Sequence, residues 1–255
     1  LNERRLAGMA AEARRGQRPF GFQRLLQQAG GTKTTRTLRL DGDTTRHKGS
    51  HEKLFKQFRS GKADVLIGTQ MIAKGLHFPS VTLVGVLNAD AGLHIPDFCA
   101  SEHVFQLLTQ VAGRSGRGAL AGQVIIQTQI PDHPTIVHAA SQDYENFYRE
   151  EIEVRKTFLY PPFAHLIKLT FSGLSSSETS QCAQKARSFL IQHLPPSFGI
   201  LPVVPCGYAK IKDRFRFQFL VKGENTRPVT EILEKLSKNR SEVRMTIDID
   251  PLSTY

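Results

Sequence analysis

Apolar residues in the first half of the chain gather in short runs rather than in one long stripe. Val65-Leu66-Ile67-Gly68, Val81 through Leu87 and Val124-Ile125-Ile126-Gln127 are β-branched and apolar on both faces. Such runs suit parallel strands covered on either side. Thr37-Leu38-Arg39-Leu40-Asp41 is a weaker strand candidate. Between the runs the period changes to that of a helix, as over His51 to Phe58, where Leu54, Phe55 and Phe58 share a face. Alternating strands and helices predict an α/β domain over 36–135, a parallel sheet with helices on both faces. Thr135 to Phe158 carries Ile136, Ala140, Tyr144, Phe147 and Ile152 near helical spacing, so one long linking helix is expected over 136–160. Tyr160-Pro161-Pro162-Phe163 stops it. The remainder, 161–255, reads strand, helix, hairpin, helix, strand: His165–Phe171, Ser177–His193, Val203–Lys222, Thr226–Lys238 and Val243–Ile249. That order is the split pattern of a small α+β, ferredoxin-like domain.

Charge changes the picture more than overall composition does. The net charge of +11 is concentrated in residues 1–62, which hold 15 Lys and Arg against 5 Asp and Glu. The rest holds 19 against 18. This asymmetry points to a polyanion, nucleic acid before an anionic membrane surface. Residues 1–35, taken alone, read as a basic, unplaced and poorly structured tail. No apolar run approaches the roughly 20 residues that cross a bilayer. Cys99, Cys182 and Cys206 are far apart in sequence and make neither a CxxC pair nor a disulfide framework, so a cytoplasmic setting is expected.

The sharpest chemical signal is Gln110-Val111-Ala112-Gly113-Arg114-Ser115-Gly116-Arg117. Arg114 and Arg117 lie three apart, each after a glycine, and are expected at a solvent-facing loop-to-helix start. A guanidinium donates two parallel hydrogen bonds to phosphate and keeps its charge, which suits it to the charge that develops in phosphoryl transfer. Two solvated arginines in a turn would look the same in sequence. The second signal, Asp64 through Gly75, ends a strand in Gly-Thr-Gln and a short segment in Lys-Gly. Amides and a hydroxyl at such a strand end can hold a nucleic-acid phosphate, through Thr69, Gln70 and Lys74. Lys210, Lys212, Arg214 and Arg216 interleave with Phe215, Phe217 and Phe219. Such a hairpin can track a single strand by charge and stacking, but strict alternation is also what a half-buried strand requires.

As an ordered set these segments resemble motifs V and VI of superfamily 2 helicases, and more narrowly the primosomal replication-restart helicases. The likeness rests on Leu38 through Thr45, Phe58-Arg59-Ser60-Gly61, Ile67 through Gly75, Phe78 through Val84, Pro96-Asp97-Phe98 and Gln106 through Arg114. It continues in Gln127-Thr128, Pro131-x-His133-Pro134, Tyr160 through Phe163 and Asp248-Ile249-Asp250-Pro251. The resemblance implies a RecA-like second motor lobe of an ATP-dependent, 3′-to-5′ DNA helicase that acts in replication restart and primosome assembly. It implies ATP and Mg²⁺ as cofactors, with Gln110, Gly113, Arg114, Arg117 and Gly75 at the nucleotide and Arg114 and Arg117 catalytic. Thr69, Gln70, Lys74, Lys210, Lys212 and Arg214 would meet DNA. Single-stranded and forked DNA, primosome proteins and single-strand-binding proteins are the implied partners.

The sequence departs from that pattern in three places. It has no GxxxxGK[ST] loop and no Asp-Glu pair, so it reads as a C-terminal fragment without the ATP-binding lobe, inactive as an ATPase by itself. The zinc module expected for the family has no cysteine ligands here. Cys99 stands where the family usually has arginine. Two other readings stay open, a DNA-binding module without motor activity and the second lobe of an RNA helicase.

Overall fold

The computed structural model describes residues 5–10, 36–40, 50–68, 81–113, 122–237 and 242–255, the side chains of 5–10, 50–51 and 235–237 excepted. The chain divides into two compact units, Leu1–Ile95 with Ala100–Tyr148, and Pro96–Cys99 with Arg149–Tyr255.

In the first unit, β1 (Arg5–Ala10), β2 (Thr37–Leu40), β3 (Val65–Gly68), β4 (Val81–Leu87) and β5 (Gln123–Ile126) form one sheet in the order β2-β3-β1-β4-β5. Every neighbouring pair is parallel. The expected strands over 37–41, 65–68, 81–87 and 124–127 are all present. Residues 1–35 differ from expectation, because Arg5–Ala10 is the central strand of this sheet. Arg-Leu-Ala-Gly-Met-Ala has little strand propensity, and its place is set by pairing on both edges, Leu6 with Val65 and with Leu83. The strand order reverses at β1, the arrangement whose carboxyl-side crevice binds ligands in open α/β sheets.

Helices α1 (Ser50–Arg59), α2 (Ala100–Ala112), α3 (Pro134–Ser141) and α4 (Tyr144–Thr157) accompany the strands. Phe58, Leu66, Val84, Val104, Leu108, Val111 and Ile136 make the main core, against which Phe105 stacks on Phe147 at 4.1 Å between centroids. Val65 and Leu83, with Ile67 and Ile125, form a second cluster, as alternation along each strand requires. The described helices contribute to the first cluster and not to the second. The single helix expected over 136–160 is two helices. Gln142 adopts φ 57°, its N–H donates to the carbonyls of Ala139 and His138, and Asp143 Oδ1 accepts the Asn146 N–H at 3.2 Å. A left-handed stop followed at once by a capping aspartate overrides the continuous apolar period.

The second unit follows the predicted order closely. β6 (His165–Gly173), α5 (Ser176–His193), a short β7 (Gly199–Ile200), β8 (Val204–Ile211), β9 (Arg214–Gly223), α6 (Arg227–Ser237) and β10 (Arg244–Ile249) build an antiparallel sheet ordered β10-β6-β9-β7, with β8 also on β9. Ser175 Oγ accepts the Glu178 N–H at the start of α5, the Ser-x-x-Glu start signal. Ile167, Leu169, Phe171, Phe219 and Val221 meet Ala183, Leu190, Val229 and Leu233 between sheet and helices.

Candidate functional site

Two segments that carry the sequence motifs are anchored by described flanks. Gly68 ends β3 beside Met9 of β1, at the carboxyl edge of the sheet, and Val81 opens β4. Helix α2 leads from the carboxyl end of β4 to the amino end of β5 and buries Val104, Phe105, Leu108 and Val111. Gly92 allows this helix to come close to the turn after β4, since a Cβ there would strike the Val104 side chain. Thr69, Gln70, Lys74, Gly75, Arg114 and Arg117 lie outside the described residues.

Gln110 and Gly113 are described. Gln110 is exposed on the last turn of α2, away from the buried face, and the Gly113 N–H donates to Thr109 O at 3.0 Å. The helix ends here, and the loop-to-helix start expected at Arg114 and Arg117 falls outside the described residues.

The turn after β4 contains a buried acid that sequence reasoning passed over. Asp90 is 2% exposed and accepts hydrogen bonds from the Thr128 hydroxyl and from the Gln129 N–H at 2.7 Å. Thr128 Oγ1 in turn accepts the Ile130 N–H at 3.0 Å. The Gln127-Thr128 stretch thus joins the ends of β4 and β5, a structural role. An acidic residue just past a two-sided apolar strand is the signal that could have found it.

The hairpin of β8 and β9 separates the three cations assigned to it. Lys212 and Asp213 occupy a two-residue turn with φ 48° and 61°, and Lys212 is exposed. Lys210 Nζ reaches Asp213 at 3.1 Å and stands 5.3 Å from the centre of the Phe215 ring. Arg214 donates to the carbonyls of Ser172 at 2.9 Å and Glu242 at 3.2 Å, and so ties down the ends of β6 and β10. Phe219 is fully buried and Phe217 packs on the core, leaving no row of exposed phenylalanines for base stacking.

Three of the motif stretches meet in the second unit. Phe98 stacks on Tyr160 at 5.5 Å, Lys222 Nζ lies 3.4 Å from the Tyr160 ring centre, and the Arg155 guanidinium lies 5.3 Å from that of Phe98. Cation, ring, ring and cation form one stack. Lys222 also donates to Phe158 O at 2.9 Å, and burial draws its pKa below the ordinary lysine value. Arg155 pairs with Glu151 at 2.8 Å and stands 3.9 Å from Cys99 Sγ. A cleft of about 460 Å³ opens beside them, lined in part by Pro161, Phe163, His165, Asp250 and Pro251.

Among the described residues no group of three His, Cys, Asp or Glu side chains could hold a metal, and no helix is long and apolar enough to cross a membrane.

Residues 17–119 match the helicase conserved C-terminal domain and residues 156–252 the primosomal protein N C-terminal domain. Replication restart protein PriA of Chlamydia muridarum is 52% identical over 225 residues, covering 87% of this chain and 30% of that protein. The Chlamydia pneumoniae protein of that name is 50% identical over 244 residues, 94% of this chain and 32% of its own length. The Bacillus subtilis protein is 44% identical over 224 residues, 86% and 28%. The chain spans about a third of the length of these relatives. With one helicase-type parallel lobe, one primosomal C-terminal domain and half its residues shared, the chain belongs to the replication restart PriA family and corresponds to that family's C-terminal region.

Proposed function

We propose that this chain is the second motor lobe and C-terminal domain of an ATP-driven, 3′-to-5′ DNA helicase that restarts replication in the bacterial cytosol. What supports the reading is an all-parallel five-stranded sheet in a chain that matches the helicase conserved C-terminal domain over 17–119 and is 52% identical over 225 residues to a replication restart protein. Thr69, Gln70 and Lys74 hold the DNA backbone. Arg114 and Arg117 stabilise charge on the γ-phosphate, Gln110 orients it, and Gly75 and Gly113 leave room for its approach.

When bound, ATP with Mg²⁺ supplies the phosphoryl chemistry. The cradle of amides, the lysine and the Mg²⁺ site belong to a first lobe, for which this sequence has no motif. Single-stranded and forked DNA, single-strand-binding proteins and primosome proteins are the partners that follow from this role.

The test uses this chain alone and fused to a first lobe from a relative. Alone it releases no phosphate from ATP, with or without DNA. In the two-lobed protein Arg117→Ala lowers turnover by about 10³-fold, as loss of an arginine finger does. DNA-stimulated hydrolysis by the chain alone, abolished by Arg114→Ala, would overturn the division of labour. An Arg117→Ala protein that keeps its turnover would overturn the assignment of the arginine.

A further inference from the structure

Strand β10 lies at one end of the second unit's sheet, with β6 on one side and no described strand on the other. Its register with β6 is regular from Arg244 to Ile249, with neither a bulge nor a proline to blunt the free edge. Met245, Ile247 and Ile249 pair with Phe171, Leu169 and Ile167 and so share the helix-covered face. Ile247 and Ile249 nonetheless stay 38% and 46% exposed. Arg244, Thr246 and Asp248 take the other face, and all three are exposed.

One hydrogen bond fixes which main-chain groups the edge offers. The Asp250 N–H donates to Leu166 O at 2.8 Å, so residue 250 points into the sheet. Peptide groups alternate along a strand, so Thr246 and Asp248 point the same way, while Met245 and Ile247 point outward. The residues after β10 leave this edge open. Ser253 and Thr254 donate to Asp97, Gln218 Nε2 of β9 donates to Thr254 O at 2.7 Å, and the Tyr255 ring lies over Gly207 of β8. The tail thus runs towards the middle of the sheet and not along its outer edge. Lys168, which faces Asp248 across the ladder, gives its Nζ to the carbonyls of Ser253 at 3.3 Å and Tyr255 at 3.1 Å.

Two edges that meet antiparallel bond through the outward groups of both, so an outward residue must oppose an outward residue. Registers centred on Met245, Thr246 or Ile247 meet this condition and keep most of the strand paired. About Met245, Arg244 would oppose Thr246. About Ile247 it would oppose Asp250, whose carboxylate already takes His165 at 2.9 Å and the Leu166 N–H at 3.1 Å. About Thr246, Arg244 opposes Asp248 at two symmetric places, Met245 opposes Ile247, and Thr246 opposes itself. Within one chain Arg244 and Asp248 stand roughly 13 Å apart along the strand, too far to pair with each other. We propose that β10 pairs antiparallel with β10 of a second copy of this chain, about a two-fold axis at Thr246, where these charges become complementary.

One six-residue edge is smaller than the roughly 800 Å² per partner of a standard interface, so the dimer is weak and forms as concentration rises. Sedimentation equilibrium on the whole chain, from micromolar to millimolar protein, shows an average mass that climbs from one chain towards two. Arg244→Asp and Asp248→Arg each weaken association about tenfold, since like charges then oppose one another at two places. The double exchange, Arg244→Asp with Asp248→Arg, restores it. A wild type that stays monomeric throughout overturns the proposal and leaves the edge to an extended segment of another protein. Association that ignores both reversals, or that the double exchange does not restore, overturns it as well.

Amide exchange reads the pairing inside the strand. As concentration rises, the Met245 and Ile247 N–H groups slow by about fivefold, while those of Thr246 and Asp248, bonded to β6 in either state, do not change. Uniform slowing along β10, or none, overturns the pairing. A charge variant that loses protection in β6 and β9 has unfolded, and the wild-type exchange pattern then decides alone.

Discussion

Asp90 and Asp97 both spend their hydrogen bonds on the fold. Asp90 is buried, and Asp90→Ala takes the acceptor from the half-buried Thr128 hydroxyl and from the Gln129 N–H. The expected loss is about 2 kcal/mol, read as an earlier denaturation midpoint with unchanged slope. Asp97 adds a pH dependence. Its folded pKa is below the reference of 3.8, so its stabilisation is fully present above that value and is lost as pH falls through the folded one. Acid unfolding of the wild type should therefore steepen below the ordinary aspartate range, and Asp97→Asn should flatten it. In the hairpin, Lys212→Ala should weaken single-stranded DNA binding with stability unchanged within about 0.5 kcal/mol. Arg214→Ala should destabilise first, since its guanidinium holds the Ser172 and Glu242 carbonyls. Equal melting of the two variants would refute that division.

At the scale of elements, the junction after α4 is held by the Lys222, Tyr160, Phe98 and Arg155 stack. Phe98→Ala removes the middle of it, and a loss of about 2 kcal/mol is expected from aromatic contact and buried area together. Thermal unfolding of the second unit checks this, and Phe98→Leu, which keeps the area but not the ring, should fall between. The break between α3 and α4 makes the opposite prediction. Gln142 is left-handed at φ 57°, a conformation that costs a side chain and favours glycine. Gln142→Gly should gain about 0.5 kcal/mol, measured by denaturant titration, and a loss would mean that the Gln142 side chain has a role of its own.

For the whole molecule, the basic first quarter contributes three described elements to the parallel lobe. Residues 1–62 include β1, β2 and α1, so deleting them would remove the central strand together with the charge. The informative experiment neutralises charge in place. Lys53, Lys56 and Lys62 are exposed on and after α1, and replacing all three by Gln should flatten the dependence of log K on log salt. The slope should fall by up to roughly 0.9 for each DNA phosphate that a lysine no longer neutralises. An unaltered slope would place the DNA path elsewhere. Much of this architecture was legible in the chain itself. Three two-sided apolar runs and one weaker candidate, Thr37–Asp41, marked four of the five parallel strands, period and capping marked the split order of the second unit, and ordered short motifs marked the family. These features are local or repetitive, so each window of sequence carries its own signal. Gln142 ends a helix through a left-handed stop that the apolar period hides. Two features were not local: Arg5–Ala10 is a strand because two neighbours pair with it, and Pro96–Cys99 leaves the lobe that surrounds it in sequence. Both depend on residues far along the chain: Asp97 and Thr254 are 157 apart, and only packing could bring that carboxylate to its donors.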